Sequence, residues 1–479
     1  MRWWWTGSLL LWAQGYYLTW GSQAFVGSPL IEKPTCAVRD AAGRLFVGGY
    51  IQPSPHSLPD GWLVCLSPSG TVEWTLTPGG LGPDRIHDLA EADSVLYFCG
   101  SSGSALTHPE DLPPDRRADF WVGAVEKSTG RLLWQTRWGS SHLDQALTLC
   151  LTPYRTLLVG GLTWREPEVG LQGSLHILRT SNGEVLQERY WGQAPSLVRK
   201  IRPIPGTSYY ACIGEQNYRP FVAALDYLGQ VYWRTVFQFH RFPSQLLALY
   251  PTPAGQILVG GQYGQTWGIS LLNLQGQVVW EALWPAEGPI GAVTDLTQGP
   301  EGLLYAVGWQ YSASPSPPDQ KGGKDVWLAA LSPHGQKLWE RGFGGPYDEV
   351  GSSGLSTPQG FILVAEKENR FSEAPPHPDA WVVHLKAVPC NEVPAEVQTD
   401  APSLREKAGR TLRFWVRLPA PYRALRVQWD FGDGSSALGP EVEHVFGEPG
   451  SYSVQATLSL AYGCPELPLP PLLLRISRP

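Results

Sequence analysis

Asp60, Asp119, Asp325 and Asp379 each stand two residues before a tryptophan, and Asp84, Asp144 and Asp348 each follow a loop containing Gly-Gly or Gly-Ser. Carboxylates repeated in this way suit two kinds of chemistry. Gathered on one rim, they would hold a cation or a cationic ligand. As separate turn residues, each would accept backbone N–H bonds where a strand begins. Recurrence at equivalent places favours the second use, because a ligand site seldom needs the same group in most copies of a repeat. Two acids about 5 to 10 Å apart would also serve a glycosidase, and such a pair needs no local spacing.

Other reactive types form no constellation. His87, His142 and His176 have no partner at His-x-His or His-x-x-x-His spacing, and no Cys-x-x-Cys occurs, so neither a zinc site nor a redox motif is indicated. Nucleophile elbows, His-Glu-x-x-His and phosphate loops are also missing. No cofactor is expected. Of seven cysteines, Cys36, Cys65, Cys99, Cys150 and Cys212 sit in apolar runs and suit small buried hydrophobes. Cys390 and Cys464 bracket the C-terminal region and are the pair expected to join in an oxidising compartment.

The aspartates are carried by a repeat. A strand-like run returns seven times: LFVGGY, VLYFCG, TLLVGG, YYACIG, QILVGG, LLYAVG and FILVAE. In apparent register its small residues are Gly48, Gly100, Gly160, Gly214, Gly260, Gly308 and Ala365, where a neighbouring sheet's bulky group would approach the backbone. A stretch led by Trp62, Trp121, Leu175, Phe221, Trp267, Trp327 or Trp381 follows. Next comes a turn holding Gly70, Gly130, Gly183, Gly229, Gly276 or Gly335, and four residues on lies Trp74, Trp134, Gln187, Trp233, Trp280 or Trp339. Glycine supplies the positive φ of the turn, and the aromatic has a fixed place to pack between blades. The seventh copy lacks its last strand, but YYLTWG near the N-terminus, with Trp20 in the aromatic slot, has that form. An N-terminal strand completing the last sheet removes both open edges. The expected fold is all-β: a seven-bladed β-propeller over residues 16–389, with eight blades, one degenerate, as the competing count.

This repeat resembles those of propellers common in secreted bacterial proteins. VGAVEKSTGRLLW is similar to the tryptophan-docking repeat of quinoprotein-like propellers. That resemblance speaks for fold, since propellers host unrelated activities. A quinoprotein dehydrogenase would add adjacent cysteines and further blades, and a sialidase would show Ser-x-Asp-x-Gly-x-x-Trp boxes; this chain has neither.

From Cys390 the rhythm changes. WDFGDG (429–434), HVF (444–446) and PGSY (449–452) resemble the PKD domain, an immunoglobulin-like sandwich. Gly432 and Gly434 permit a tight turn, while Trp429 and Tyr452 fill the core. The resemblance implies an extracellular spacer or binding module over 390–479, with the tail LPLPPLLLRISRP as its last edge strand.

The bulk numbers fit an exported chain. Net charge is -7 with no basic run, which argues against nucleic acid. Twenty-two tryptophans, 53 glycines and 44 prolines suit short strands and turns. MRWWWTGSLLLWAQG, residues 1–15, has the form of a signal peptide, the alternative being a buried first strand. No later apolar run approaches about 18 residues, so no membrane span is expected. Long Pro-rich loops between second and third strands, QPSPHSLPD, GSALTHPEDLPPDRRAD, YSASPSPPDQKGGKD and NRFSEAPPHPD, share a face with the blade-to-blade loops. The expected function is non-enzymatic binding or scaffolding, secreted or at the cell surface, with the periplasm also open. The loop face would engage a protein or polysaccharide. The alternative is a carbohydrate-active hydrolase or lyase with acids in the channel mouth.

Overall fold

The computed structural model describes residues 16–478 apart from 27–29, 55–56, 81, 104–117, 141, 166–168, 238–243, 265, 285–290, 300–301, 312–322, 344–347, 359, 370–376, 420–423 and 461–462. The expected signal segment 1–15 and most of three long loops, at 103–119, 311–325 and 369–379, lie outside the described residues.

Runs of apolar and β-branched residues, bounded by Gly and Pro turns, form strands throughout. Ile31–Arg39, Leu45–Gln52, Asp60–Leu66 and Val72–Leu76 pair in chain order as the first of seven four-stranded sheets. Five more repeat that plan. The second runs from Asp84–Ala92 to Leu132–Trp138, and the sixth from Gly291–Gln298 to Lys337–Phe343. The seventh combines Val350–Thr357, Gly360–Asn369 and His377–Pro389 with Tyr16–Val26, which carries Trp20 and is the outer strand. The fold is a seven-bladed β-propeller closed by the N-terminal strand. Trp381 Nε1 donates to Gln23 Oε1 across that closing pair at 3.3 Å. The join between the last and first blades buries Val26, Val47, Trp62, Val64, Ile362, Val364 and Val382 in one cluster.

Each inner strand carries a β-bulge at the same place, at Thr35, His87, Leu147, Arg199, Leu247, Thr294 and Ser352. A bulge sharpens local twist. The pairing beside it corrects the expected glycine in the three Gly-Gly copies. The residue opposite the position before the bulge is Gly49, Gly100, Gly161, Gly214, Gly261, Gly308 or Ala365. The inner strand's own carbonyl demands it: a Cβ on Gly49 would lie 2.0 Å from Lys33 O, and one on Gly161 1.8 Å from Gln145 O. Gly48, Gly160 and Gly260 lie one residue earlier, where Ile86, Val198 and Val293 of the next blade approach. Opposite the glycine column stand Trp62, Trp121, Phe221 and Trp327. In the third blade that place belongs to Ser174, not Leu175, and in the fifth to Gly268, not Trp267.

The turn glycines Gly70, Gly130, Gly183, Gly229, Gly276 and Gly335 all have φ between 72 and 86°. Four of them cover the outer-strand tryptophan of the preceding blade. A Cβ would meet Trp74 at Gly130 (2.7 Å), Trp134 at Gly183 (2.5 Å), Trp233 at Gly276 (2.4 Å) and Trp280 at Gly335 (2.7 Å). Three of these indoles also donate into the covering turn: Trp74 to Lys127 O (2.9 Å), Trp134 to Thr180 O (3.0 Å) and Trp233 to Leu274 O (2.7 Å). Trp339 holds the corresponding strand position in the sixth blade.

The C-terminal part is a two-sheet sandwich. Glu396–Thr399, Thr411–Arg417 and Glu441–Val445 face a larger sheet built on Gly450–Leu460. Trp429, Phe414, Phe431 and Phe446 are buried between them, and Cys390 and Cys464 form a disulfide. The tail strand Leu472–Ser477 is not an edge, as the proline pair suggested. It lies between Gly450–Leu460 and Arg405–Lys407, and the short Arg405–Lys407 is the edge. Pro470 and Pro471 precede the strand, so their missing N–H groups interrupt no ladder.

Candidate functional site

The aspartates gather where one blade meets the next, on the face that carries the second-to-third loops. Asp84 N donates to Pro59 O at 2.7 Å, and Asp144 N to Ala118 O at 2.6 Å, so the start of each inner strand is bonded beside the third strand of the blade before. This brings Asp84 near Asp60, and Asp144 near Asp119. Glu349 N makes the same bond to Lys324 O at 2.6 Å. Glu349, three residues before its bulge as Asp84 and Asp144 are before theirs, is therefore their structural counterpart, and Asp348 is displaced from that series. The sequence held a signal for this: Gly79, Gly139 and Gly344 stand five residues before Asp84, Asp144 and Glu349. By the same count Glu32, fully buried, opens the series in the first blade, while Ser196 and Ser244 hold the place in the fourth and fifth.

Asp84, Asp144 and Asp348 are bonded to their own surroundings. Asp84 Oδ2 accepts Gly80 N at 2.6 Å and curls over Gly79, where a Cβ would lie 2.5 Å from that oxygen. Asp144 accepts Ser140 N and the Thr163 hydroxyl. A Cβ on Gly139 would meet both Asp144 Oδ2 (2.5 Å) and Asp119 Oδ1 (2.8 Å), so two buried carboxylates lean on one glycine. Burial pushes the Asp84 and Asp144 carboxyls up, and the neighbouring Asp60 and Asp119 charges add to the rise. Asp348 is exposed and accepts Lys324 N at 2.8 Å. Asp60 is exposed, Asp325 half-buried, and Asp379 buried. Among the described residues no group of three His, Cys, Asp or Glu is placed to hold a metal ion.

The inner strands balance their own charges. Arg202 reaches past the third blade to Asp88 with two bonds, 2.8 and 2.9 Å. Asp88 also accepts Thr148 Oγ1 (2.8 Å) and Leu149 N (3.1 Å). Lys200 lies 3.6 Å from Asp295, and Asp295 accepts Gly354 N at 3.0 Å. Lys33 pairs with Glu366 at 2.8 Å and Arg199 with Glu215 at 2.7 Å. Sequence spacing missed this network, because partners such as Asp88 and Arg202 lie 114 residues apart. Beside it, burial lowers the His87 pKa to about 4 and raises the Cys36 and Cys150 thiols to about 12. Those thiols are inert at neutral pH.

Residues 396–465 match the family model of the PKD domain. No curated protein matches the chain. Among solved structures, the Kuenenia stuttgartiensis hydrazine synthase is similar over 75% of this chain and 96% of its own, at 14% identity and a TM-score of 0.49. Virginiamycin B lyase from Staphylococcus aureus aligns over 78% of this chain and 100% of its own, at 10% identity and a TM-score of 0.48. The Cps50 (Swd1) β-propeller domain of Myceliophteria thermophila aligns over 76% and 99%, at 10% identity and a TM-score of 0.49.

Proposed function

We propose that this β-propeller and PKD protein is an exported, non-enzymatic binding or scaffold protein. Its propeller loop face engages a protein or a polysaccharide, and its PKD module serves as spacer or adhesion unit. In this reading residues 1–15 are an export signal, 16–389 the ring and 390–479 the sandwich. The observation that carries it is the state of the recurrent carboxylates. Those of Asp84 and Asp144 are buried and bonded at blade junctions, so recognition falls to the loops above them. Two observations support an exported setting: the Cys390–Cys464 disulfide suits an oxidising compartment, and the PKD match is of a kind frequent outside cells. Among the described residues no helix is long and apolar enough to cross a membrane.

The hydrolase or lyase reading keeps one observation in its favour. Asp119 and Asp144 flank a single glycine, and burial raises Asp144 as a general acid requires. The two readings separate in one experiment on the full chain. It is offered to a glycan array and to extracted surface proteins, and the same polysaccharides are assayed for released ends. Retention without turnover supports binding. Turnover that disappears in Asp144→Asn while the fold survives overturns it. Cell fractionation then distinguishes surface adhesion from a periplasmic scaffold.

A further inference from the structure

Four blade junctions are latched by a tryptophan seated under the next blade's turn glycine, and the junction between the third and fourth blades is not. Gln187 pairs with Ile177 in the register where Trp74 pairs with Cys65 and Trp134 with Ala124. A Cβ on Gly229, the covering glycine here, would find Leu175 at 3.2 Å and side-chain carbons of Arg189 and Leu158 at 3.8 Å, with no indole. Beside Leu175 lies a groove of about 640 Å³, lined among others by Arg189, Tyr190, Trp191, Gly229, Val231 and Arg234.

The lining has unspent polar capacity. Arg189 is held only by the side-chain carbonyl of Gln187, and Arg234 by that of Gln216. Neither guanidinium has a carboxylate partner among the described residues. Glu188, which also borders the groove, is turned towards His176 at 3.8 Å. Trp191 is buried and stacks on Phe221 at 5.3 Å, and its Nε1–H has no acceptor among the described residues. The turn above offers what the other latches use. Its Asp226–Gln230 and Gly229–Asp226 bonds repeat the Asn273–Gln277 and Gly276–Asn273 bonds of the fifth blade. Tyr227 O is thus the counterpart of Leu274 O, which accepts the Trp233 indole.

We propose that this groove binds a tryptophan side chain presented by an acidic segment of a partner protein. The indole enters beside Gly229, against Leu175 and Arg189, at a junction where this chain has Gln187 in place of the tryptophan it uses at four others. Carboxylates flanking the indole meet Arg189 and Arg234. The site lies between the outer strands of the third and fourth blades, and does not depend on the function proposed for the loop face.

The test is calorimetric titration of the full chain with three blocked peptides, Glu-Glu-Trp-Glu-Glu, its Trp→Ala version and Lys-Lys-Trp-Lys-Lys. The acidic tryptophan peptide is expected to bind, and each of the others at least about tenfold more weakly. Gln187→Trp supplies the indole from within, and is expected to abolish binding while the protein unfolds at no lower temperature than the parent. Arg234→Glu, on an exposed stretch of strand, keeps the proposal testable if the first variant fails to fold; it is expected to reverse the preference between acidic and basic peptides. Absence of binding to the parent chain overturns the proposal. So does undiminished binding by folded Gln187→Trp, or equal binding of the Trp→Ala peptide, which would reduce the groove to a charged patch.

Discussion

His176 sits with its ring 4.4 Å from Phe120 and 5.3 Å from Trp138, and its Nδ1 accepts the Trp138 indole N–H at 3.4 Å. That arrangement requires the neutral imidazole, and burial accordingly lowers its pKa to about 4. The unfolded chain protonates this residue near pH 6.5, so below that value the unfolded state binds the extra proton and stability falls. The loss ends near pH 4, where the folded form protonates too. We expect the gap in unfolding free energy between the parent and His176→Phe to shift by about 3 kcal/mol between pH 7 and pH 4. Denaturant titrations at several pH values would read it; a constant gap would refute the neutral assignment. A second residue-scale prediction concerns the latch. Gly183→Ala places a methyl against Trp134, whereas Gly206→Ala, at a similar φ of 75°, meets nothing within 4 Å. Both carry the backbone strain, so the former should cost about 1–3 kcal/mol more.

Between elements, the recurring device is the bulged inner strand. Its extra residue bonds outward in two blades: Thr35 Oγ1 donates to Ile86 O at 2.6 Å, and Thr294 Oγ1 to Gly351 O at 2.6 Å, each in the following blade. The residue after the bulge does likewise in reverse, Thr148 accepting Ile201 N at 3.0 Å. Adjacent inner strands are therefore tied by hydrogen bonds as well as by apolar packing. The Asp88–Arg202 pair extends this to blades two apart, since Asp88 is on the second inner strand and Arg202 on the fourth. Removing one partner leaves Asp88 largely buried without its counter-charge. Arg202→Leu should cost about 2–4 kcal/mol, and adding Asp88→Asn should restore part of it. A double-mutant cycle with no coupling would show that the pair contributes nothing beyond its separate contacts.

For the whole molecule, closure is the feature on which stability turns. Tyr16–Val26 covers the free edge of His377–Pro389, and Val26 joins the cluster that unites the last and first blades. Deleting residues 16–26 should expose that edge, lower the unfolding temperature by on the order of 10 °C and promote association. Calorimetry and light scattering would check this; a monomeric ring with unchanged unfolding would mean that six complete blades and a three-stranded seventh suffice.

Much of this architecture is written locally. Six turn glycines with positive φ, strand alternation, and tryptophans four residues beyond the turn were legible because φ and side-chain alternation depend on immediate neighbours in the chain. The same holds for the PKD turn at Gly432 and Gly434, and for the closing strand around Trp20, whose pattern matched the place left open in the seventh copy. What tertiary structure alone decided was register and vacancy. In the three Gly-Gly copies the recurrent position fell to the second glycine, Gly49, Gly161 or Gly261, because pairing across strands is settled by a partner's backbone rather than by the strand's own sequence. For the same reason Glu349 replaced Asp348, and the proline-flanked tail proved internal to its sheet. Gln187 was visible as an exception to the repeat, but the groove that brings Arg189 and Arg234 together beside Gly229 depends on side chains from two blades, joined only by folding.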